Sequence, residues 1–178
     1  GYKGETLGAH DKAKFKEVDI GMSIEPEPLG TGGALKHAEK FIKNDIVFGL
    51  NGDCFTPVDY PKLLAFHEKK KALATLVGVR VEGNKDFGTI VSNEKSQITA
   101  FKEKFETKDV QYISAGIYCF NRGVLKAMPA GKFSIEYNFF PGLIGKGFFH
   151  YRVDAPFIDI GTPERFEWAK LHLKEMLL

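Results

Sequence analysis

The chain lacks the features that mark several large classes of protein. It has only two cysteines, Cys54 and Cys119, which are too far apart in the sequence to form a Cys-x-x-Cys metal or redox pair. Its longest apolar run, residues 72–79, is far shorter than the ~20 residues that a membrane-spanning helix needs. The 25 basic and 23 acidic residues form no dominant basic patch, which argues against a nucleic-acid partner. These absences predict a reduced, cytoplasmic protein that binds neither a membrane nor a nucleic acid.

The apolar pattern of the chain predicts an alternation of strands and helices. Helical spacing predicts helices at residues 34–42, 60–70, 124–128, 135–144 and 162–177. Apolar stretches predict strands at residues 18–25, 45–50, 72–80, 112–120, 148–153 and 157–160, and residues 88–92 and 97–101 are typical of a hairpin. The alternation is regular in the first half and mixed in the second. The sequence therefore predicts an α/β domain whose parallel sheet carries an antiparallel extension.

The first candidate site is the glycine-rich segment Glu-Pro-Glu-Pro-Leu-Gly-Thr-Gly-Gly at residues 25–33, between a predicted strand and a predicted helix. Open α/β sheets bind ligands beyond the carboxyl ends of their strands. Glycines there let the backbone approach a flat base or a phosphate, and a helix start offers free N–H groups. The spacing is not that of a dinucleotide motif or a P-loop, so a plain glycine-rich connection stays open as an alternative.

Two acidic residues on predicted strands form the second candidate site. Asp53 follows the most apolar strand, and Asp159 lies within the apolar strand 157–160, where an unpaired charge would be costly. We expect them to converge on one Mg²⁺ site, because Mg²⁺ takes one or two carboxylates plus substrate phosphates. The alternative for Asp53 is a turn or the cap of the next helix. Thr162 and Pro163 are typical of a helix start whatever Asp159 does.

Seven short motifs, taken in order, resemble those of the sugar-1-phosphate nucleotidyltransferases. They lie at residues 25–34, 50–53, 87–90, 101–104, 115–118, 133–136 and 157–164. The resemblance runs from end to end, and its nearest branch transfers guanylyl groups to mannose 1-phosphate or D-glycero-D-manno-heptose 1-phosphate. It implies the Rossmann-like nucleotide-diphospho-sugar transferase fold, a mostly parallel mixed sheet with helices on both faces.

The resemblance also implies a reaction. An oxygen of a sugar 1-phosphate would attack the α-phosphorus of a nucleoside triphosphate, expected to be GTP, and give an NDP-sugar and pyrophosphate. This would be a step of nucleotide-sugar biosynthesis with Mg²⁺ as cofactor, and a homo-oligomer is left open. Alignment and charge neutralisation dominate such a transfer, so it requires no Ser/His nucleophile pair.

The roles of individual residues follow from their positions in these motifs. The residues expected to bind the nucleotide are Glu25, Pro28, Gly30, Thr31, Gly32, Asn51 and Gly52. Those expected to contact the sugar are Gly88, Glu103 and Gly116. Asp53 and Asp159 would hold Mg²⁺ against the phosphates and Lys104 would bind the sugar phosphate, which makes these three the expected catalytic set.

Glu25 bears on the choice of base. Guanine presents two adjacent donors, N1–H and its N2 amino group, and an ionised carboxylate accepts two parallel hydrogen bonds. Uracil and thymine present a donor between two acceptors, which suits glutamine better, and no glutamine precedes Gly30. Glu25 therefore favours guanine. The alternative is that Glu25 and Glu27 only keep a proline-rich loop solvated.

The chain departs from the family pattern in two places. Phe105 stands where the family has proline after Glu-Lys. Residues 1–4 resemble those that follow the family's second strand, so the first strand, a GGxGTR-type loop, a helix and the second strand are not matched. We therefore expect residues 1–178 to form a single nucleotidyltransferase domain that is incomplete at the N-terminus and poorly active by itself.

Two other functions stay open at this point. One is a non-catalytic regulatory or binding module of the same fold. The other is a glycosyltransferase, which shares the nucleotide-sugar fold but uses an Asp-x-Asp metal motif that the sequence does not contain. The sequence alone does not identify the sugar.

Overall fold

The computed structural model describes residues 19–83, 87–102 and 109–176. Within these ranges the α-helices are α1 (Gly30–Ala38), α2 (Tyr60–Lys69), α3 (Arg122–Ala127) and α4 (Pro163–Met176). The strands there are β1 (Ile46–Leu50), β2 (Cys54–Phe55), β3 (Ala74–Val81), β4 (Thr89–Ser92), β5 (Ile98–Lys102), β6 (Gln111–Asn121), β7 (Phe148–Val153) and β8 (Ile158–Asp159). None of these helices is both long enough and apolar enough to cross a bilayer.

Strand β6 is the centre of the main sheet. One edge of β6 pairs antiparallel with β3, and the other edge pairs antiparallel with β1 and β4. Outside these, β5 pairs antiparallel with β4 and β7 pairs parallel with β3. The predicted mixed α/β sheet is confirmed, but among the described strands only the β3–β7 pairing is parallel. The sheet is less parallel than expected because β6 lies between β1 and β3 and runs against both.

Helices cover both faces of this sheet, as predicted. On one face Leu76 of β3 and Phe120 of β6 are buried together with Leu125 of α3. On the other face Val77 of β3 is buried together with Leu63 of α2. Alternate residues of the strands thus face two separate cores, as strands buried on both sides require.

Helix boundaries follow local chemistry. Asp59 caps α2 by accepting a hydrogen bond from the Lys62 amide at 3.0 Å. The Thr162 hydroxyl accepts from the Arg165 amide at 3.3 Å, and α4 begins at Pro163, which confirms the predicted helix start.

Three predicted elements differ from the structure. The helix predicted at residues 34–42 begins earlier, at Gly30, and ends in a 3₁₀ turn at Glu39–Phe41. The predicted strand 18–25 is not a strand over residues 19–25, where no described strand pairs with it. The helix predicted at 135–144 is a π-helical turn, Ile135–Phe139, followed by a 3₁₀ turn, because Pro141 lacks the N–H that would continue an α-helix.

Candidate active site

A cavity of about 470 Å³ lies where β1 ends, beside β4, β6 and β8. Its wall includes four residues that the sequence singled out for nucleotide, sugar and metal binding: Asn51, Gly88, Gly116 and Asp159. These residues come from segments far apart in the chain, and only the folded sheet brings them together.

Asn51 and Gly116 are in direct contact. The Asn51 amide donates a hydrogen bond to the Gly116 carbonyl at 2.8 Å. Gly116 has a positive φ of 67°, and a Cβ there would lie 2.9 Å from the Asn51 side chain. Glycine is therefore required for both its backbone conformation and the space it leaves.

The pairing of β2 with β8 brings Asp53 and Asp159 to neighbouring positions. Cys54 lies opposite Asp159 in this antiparallel pair, and the Ile160 amide donates to the Asp53 carbonyl at 2.8 Å. The Asp159 carboxylate accepts from the Gly161 amide at 2.7 Å and from the Arg165 guanidinium at 3.3 Å. Its side chain is 18% exposed, so a charge there depends on such partners.

The acids also act on the thiol beside them. The pKa of Cys54 is raised to about 12, chiefly by burial. The charge of Asp53, the hydrogen bond from the thiol to Asp53 and the charge of Asp159 also raise it. The thiol therefore stays protonated near neutral pH and is unsuited to act as a nucleophile. The negative charge that suppresses its ionisation is the charge that a bound cation would neutralise.

Asp53 and Asp159 suit a divalent cation whose remaining ligands come from substrate phosphates. The described ranges contain no group of three or more His, Cys, Asp or Glu side chains arranged to hold a metal. Mg²⁺ commonly binds proteins through one or two carboxylates and takes its other ligands from water and substrate phosphates. Asp53 and Asp159 thus suit a cation that arrives with a nucleotide better than one held by protein alone.

Two amides of the glycine-rich segment bind the protein rather than presenting free N–H groups. The amides of Gly32 and Gly33 donate to the Phe133 carbonyl at 3.1 and 3.4 Å, and Thr31 accepts from the Ile135 amide at 3.0 Å. A Cβ on Gly32 would overlap the Phe133 ring. The expectation of free N–H groups is therefore wrong at Gly32 and Gly33, which let α1 approach residues 131–135.

Glu25 is tied to the same segment. Its Oε2 accepts a hydrogen bond from the Leu29 amide at 3.0 Å, which holds the loop just before α1. The residues that line the cavity do not include Glu25, Pro28, Gly30, Thr31 or Gly32. Asp53 and Gly52 lie beside its wall, in the turn between β1 and β2. The nucleotide-binding role of the glycine-rich segment and of Gly52, and the metal-binding role of Asp53, stay predictions. Glu103 and Lys104 lie outside the described residues.

Glu136 is a cavity residue to which the sequence analysis gave no role. Its Oε1 accepts hydrogen bonds from the Ser114 hydroxyl at 2.9 Å and from the Tyr118 hydroxyl at 3.1 Å. The Ser114 hydroxyl in turn accepts from the Gly116 amide at 3.2 Å. Burial and the nearby Glu136 carboxylate raise the pKa of Tyr118, so its hydroxyl remains a donor. The motif at 133–136 contained this acid, but its partners on β6 are visible only in the fold.

A family model for nucleotidyl transferases matches residues 4–175 of the chain. The chain belongs to this family. The resemblance drawn from the seven motifs is thereby confirmed, and the mixed sheet with helices on both faces is the fold that the resemblance implied.

Relatives in this family are similar to the chain over most of its length. It is 38% identical over 154 residues to mannose-1-phosphate guanylyltransferase of Mycobacterium tuberculosis, covering 84% of this chain and 43% of the relative. It is 33% identical to D-glycero-alpha-D-manno-heptose 1-phosphate guanylyltransferase of Aneurinibacillus thermoaerophilus, covering 99% and 77%. The chain thus spans less than half of the first relative and about three quarters of the second.

A solved structure supports the same assignment. HddC from Yersinia pseudotuberculosis, crystallised with GMP-PN, superposes with a TM-score of 0.82 at 28% identity. The match covers 97% of this chain and 75% of HddC.

Proposed function

We propose that the protein transfers a guanylyl group from GTP to a sugar 1-phosphate and releases a GDP-sugar and pyrophosphate. The observation that carries the proposal is the meeting of Asn51, Gly88, Gly116 and Asp159 in one cavity. Each belongs to a different family motif, and the two relatives described above are named for guanylyl transfer to sugar 1-phosphates. Residues 1–178 would then form one nucleotidyltransferase domain, in keeping with the family match over residues 4–175.

The side chains in the cavity suit direct transfer without a covalent enzyme intermediate. In such a transfer the attacking group is the phosphate oxygen of the sugar 1-phosphate, so the protein needs no nucleophile of its own. The protein would align that oxygen with the α-phosphorus and neutralise the charge of the phosphates. In this scheme Lys104 binds the sugar phosphate, and Gly88 and Glu103 contact the sugar.

Glu136 suits recognition of the sugar hydroxyls. Both of its hydroxyl partners, Ser114 and Tyr118, contact Oε1, and this fixes the orientation of the carboxylate in the cavity wall. A carboxylate held in this way accepts hydrogen bonds from neighbouring hydroxyls of a polyol. The absence of a side chain at Gly116 lets Asn51 pack against the same wall.

Members of this family generally use a divalent metal. Here we assign Mg²⁺, with Asp53 and Asp159 as its protein ligands. When bound, the cation supplies positive charge against the phosphates of the nucleotide.

The test is pyrophosphate release by the full-length protein with GTP, Mg²⁺ and a panel of sugar 1-phosphates that includes mannose, D-glycero-D-manno-heptose and glucose. We expect turnover with GTP and at least one manno-configured sugar 1-phosphate, loss of turnover with EDTA, and little turnover with UTP or dTTP. No pyrophosphate from any pair would favour the non-catalytic module. Transfer of sugar from a GDP-sugar to an acceptor, without pyrophosphate, would favour the glycosyltransferase.

A further inference from the structure

Arg165 connects the expected metal ligand Asp159 to the wall of the cavity. Its guanidinium Nη1 donates to Asp159 Oδ1 at 3.3 Å, and its guanidinium carbon lies 5.3 Å from the centre of the Phe87 ring. Phe87 makes an edge-to-face contact with Phe157 at 5.9 Å, and both rings line the cavity. The arginine thus pairs with a carboxylate of the candidate site while lying over an aromatic ring of the same wall.

The local position of Arg165 is unfavourable for helix stability. It is the third residue of α4, and a positive charge in the first turn opposes the helix dipole. Glu164, its neighbour in that turn, has the favourable sign. The contact with Asp159 is a favourable interaction that acts against this local cost.

The contacts of Asp159 distinguish its two carboxylate oxygens. The Gly161 amide at 2.7 Å and the Arg165 guanidinium at 3.3 Å both bind Oδ1. Two donors on one oxygen fix the plane of the carboxylate and orient Oδ2. We propose that Arg165 is a positioning residue that holds Asp159 through Oδ1 so that Oδ2 is the atom that ligates the divalent cation.

This inference rests on the proposed function, because it takes Asp159 to be a metal ligand. Groups that orient a ligand through its other atom commonly change metal affinity by 10- to 100-fold when they are removed, as a rough general range. The positive charge of Arg165 acts in the opposite direction, since it repels a cation. The proposal commits to orientation as the larger of these two effects.

The test measures Mn²⁺ binding to the full-length protein in the presence of a non-hydrolysable GTP analogue. The electron paramagnetic resonance signal of free Mn²⁺ reports how much of the metal is bound. Arg165→Met should weaken Mn²⁺ binding by about tenfold. Arg165→Lys, which keeps the charge but not the planar fork, should recover only part of the loss. The affinity for the GTP analogue without metal should not change, and thermal melts should show that each variant is folded.

Arg80→Met is a matched control. The side chain of Arg80 is as exposed as that of Arg165, at 37% against 36%. It pairs with Glu82 at 3.0 Å, and neither residue lines the cavity. It removes the same charge, so Mn²⁺ binding in Arg80→Met should match that of the unmodified protein. A second check is non-additivity: in an Asp159→Asn background, Arg165→Met should not weaken Mn²⁺ binding further, because the carboxylate that Arg165 orients is gone and only its repulsion of the cation remains.

The possible outcomes test the metal site and the role of Arg165 separately. If Mn²⁺ binding does not depend on Asp159, the metal site of the proposed function is wrong. If it depends on Asp159 but Arg165→Met binds Mn²⁺ equally well, Arg165 is only a surface partner and the inference is wrong. If Arg165→Met binds Mn²⁺ more tightly, Arg165 is a counter-ion that competes with the metal, and the inference is wrong in sign.

Discussion

Cys54 lies directly opposite Asp159 in the two-stranded pairing of β2 with β8. This single pair, with the hydrogen bond from the Ile160 amide to the Asp53 carbonyl, sets the two acids at neighbouring positions. A metal site built from them therefore depends on the register of a very short ladder. A shift of one residue in the register between β2 and β8 would turn the side chain of Asp159 to the opposite face of this strand pair.

Replacing either acid should disable the reaction. We expect Asp53→Asn and Asp159→Asn each to lower kcat by at least about 100-fold in the full-length protein, since each removes a charge that, in the proposed site, would hold the cation against the phosphates. Steady-state pyrophosphate release at several Mg²⁺ concentrations measures this. Asp154→Asn, which changes an acid whose side chain is 81% exposed, is the control and should be nearly silent. Full activity in Asp53→Asn or Asp159→Asn would show that the cation binds elsewhere.

Glu25→Gln tests base recognition without disturbing the loop. The amide oxygen of glutamine can still accept the hydrogen bond from the Leu29 amide, so the structure before α1 should be kept. The second acceptor for guanine is lost, and we expect kcat/KM for GTP to fall by about tenfold or more while that for UTP or dTTP changes little. An equal loss for every nucleotide would mean that Glu25 does not contact the base.

Gly32→Ala should destabilise the protein although it adds a good helix former to α1. The new methyl group would overlap the Phe133 ring, and overpacking of this kind typically costs about 1–3 kcal/mol. Gly123→Ala in α3 is a matched change, because a Cβ there meets nothing within 4 Å. It should raise the free energy of unfolding by up to about 1 kcal/mol. Urea unfolding of both variants gives the comparison, and equal effects of the two changes would contradict the packing role of Gly32.

His150 should make the free energy of unfolding depend on pH in the mildly acidic range. Burial, and secondly the charge of Arg152, lowers the pKa of His150 to about 4 in the folded protein. In the unfolded chain the value is about 6.5, so between these limits only the unfolded state binds the proton. Stability from this residue is complete above pH 6.5 and is lost as the pH falls toward 4.

His150→Gln should flatten this pH dependence. The free energy of unfolding, measured by urea titration at several pH values, should fall less between pH 6.5 and 4 in the variant than in the unmodified protein. Some slope should remain, because burial also lowers the pKa of His67. An unchanged slope in His150→Gln would show that His150 titrates normally.

Much of the fold could be predicted because it depends on local patterns. The apolar run before Asn51 predicted β1, and the turn residues Asn93 and Ser96 separated β4 from β5 as expected. The central position of β6 could not be predicted in this way. It depends on pairings between strands that are distant in the sequence, and no periodicity reports which strands become neighbours.

The site was predicted to the extent that its residues lie in recognisable motifs. Asp159 and Gly116 both line the cavity, and their roles in metal and sugar binding stay predictions. The glycine at position 32 was misjudged, because a sequence shows that a side chain is absent but not which group takes its space; here that group is Phe133. Glu136 was missed as a cavity residue because its contacts are with hydroxyl groups on β6, which is distant from it in the sequence.

The central position of β6 also constrains how the chain is made. Ile46 pairs with Asn121 and Ala74 pairs with Phe120, so during synthesis β1 and β3 leave the ribosome well before the strand that joins them. Until then their edges present unpaired backbone groups on strongly apolar segments, which favours association with other chains. Contacts of this sequence separation also form slowly. Conditions that slow translation after β3, or that lack chaperones, should therefore lower the yield of native protein more than its final stability would suggest.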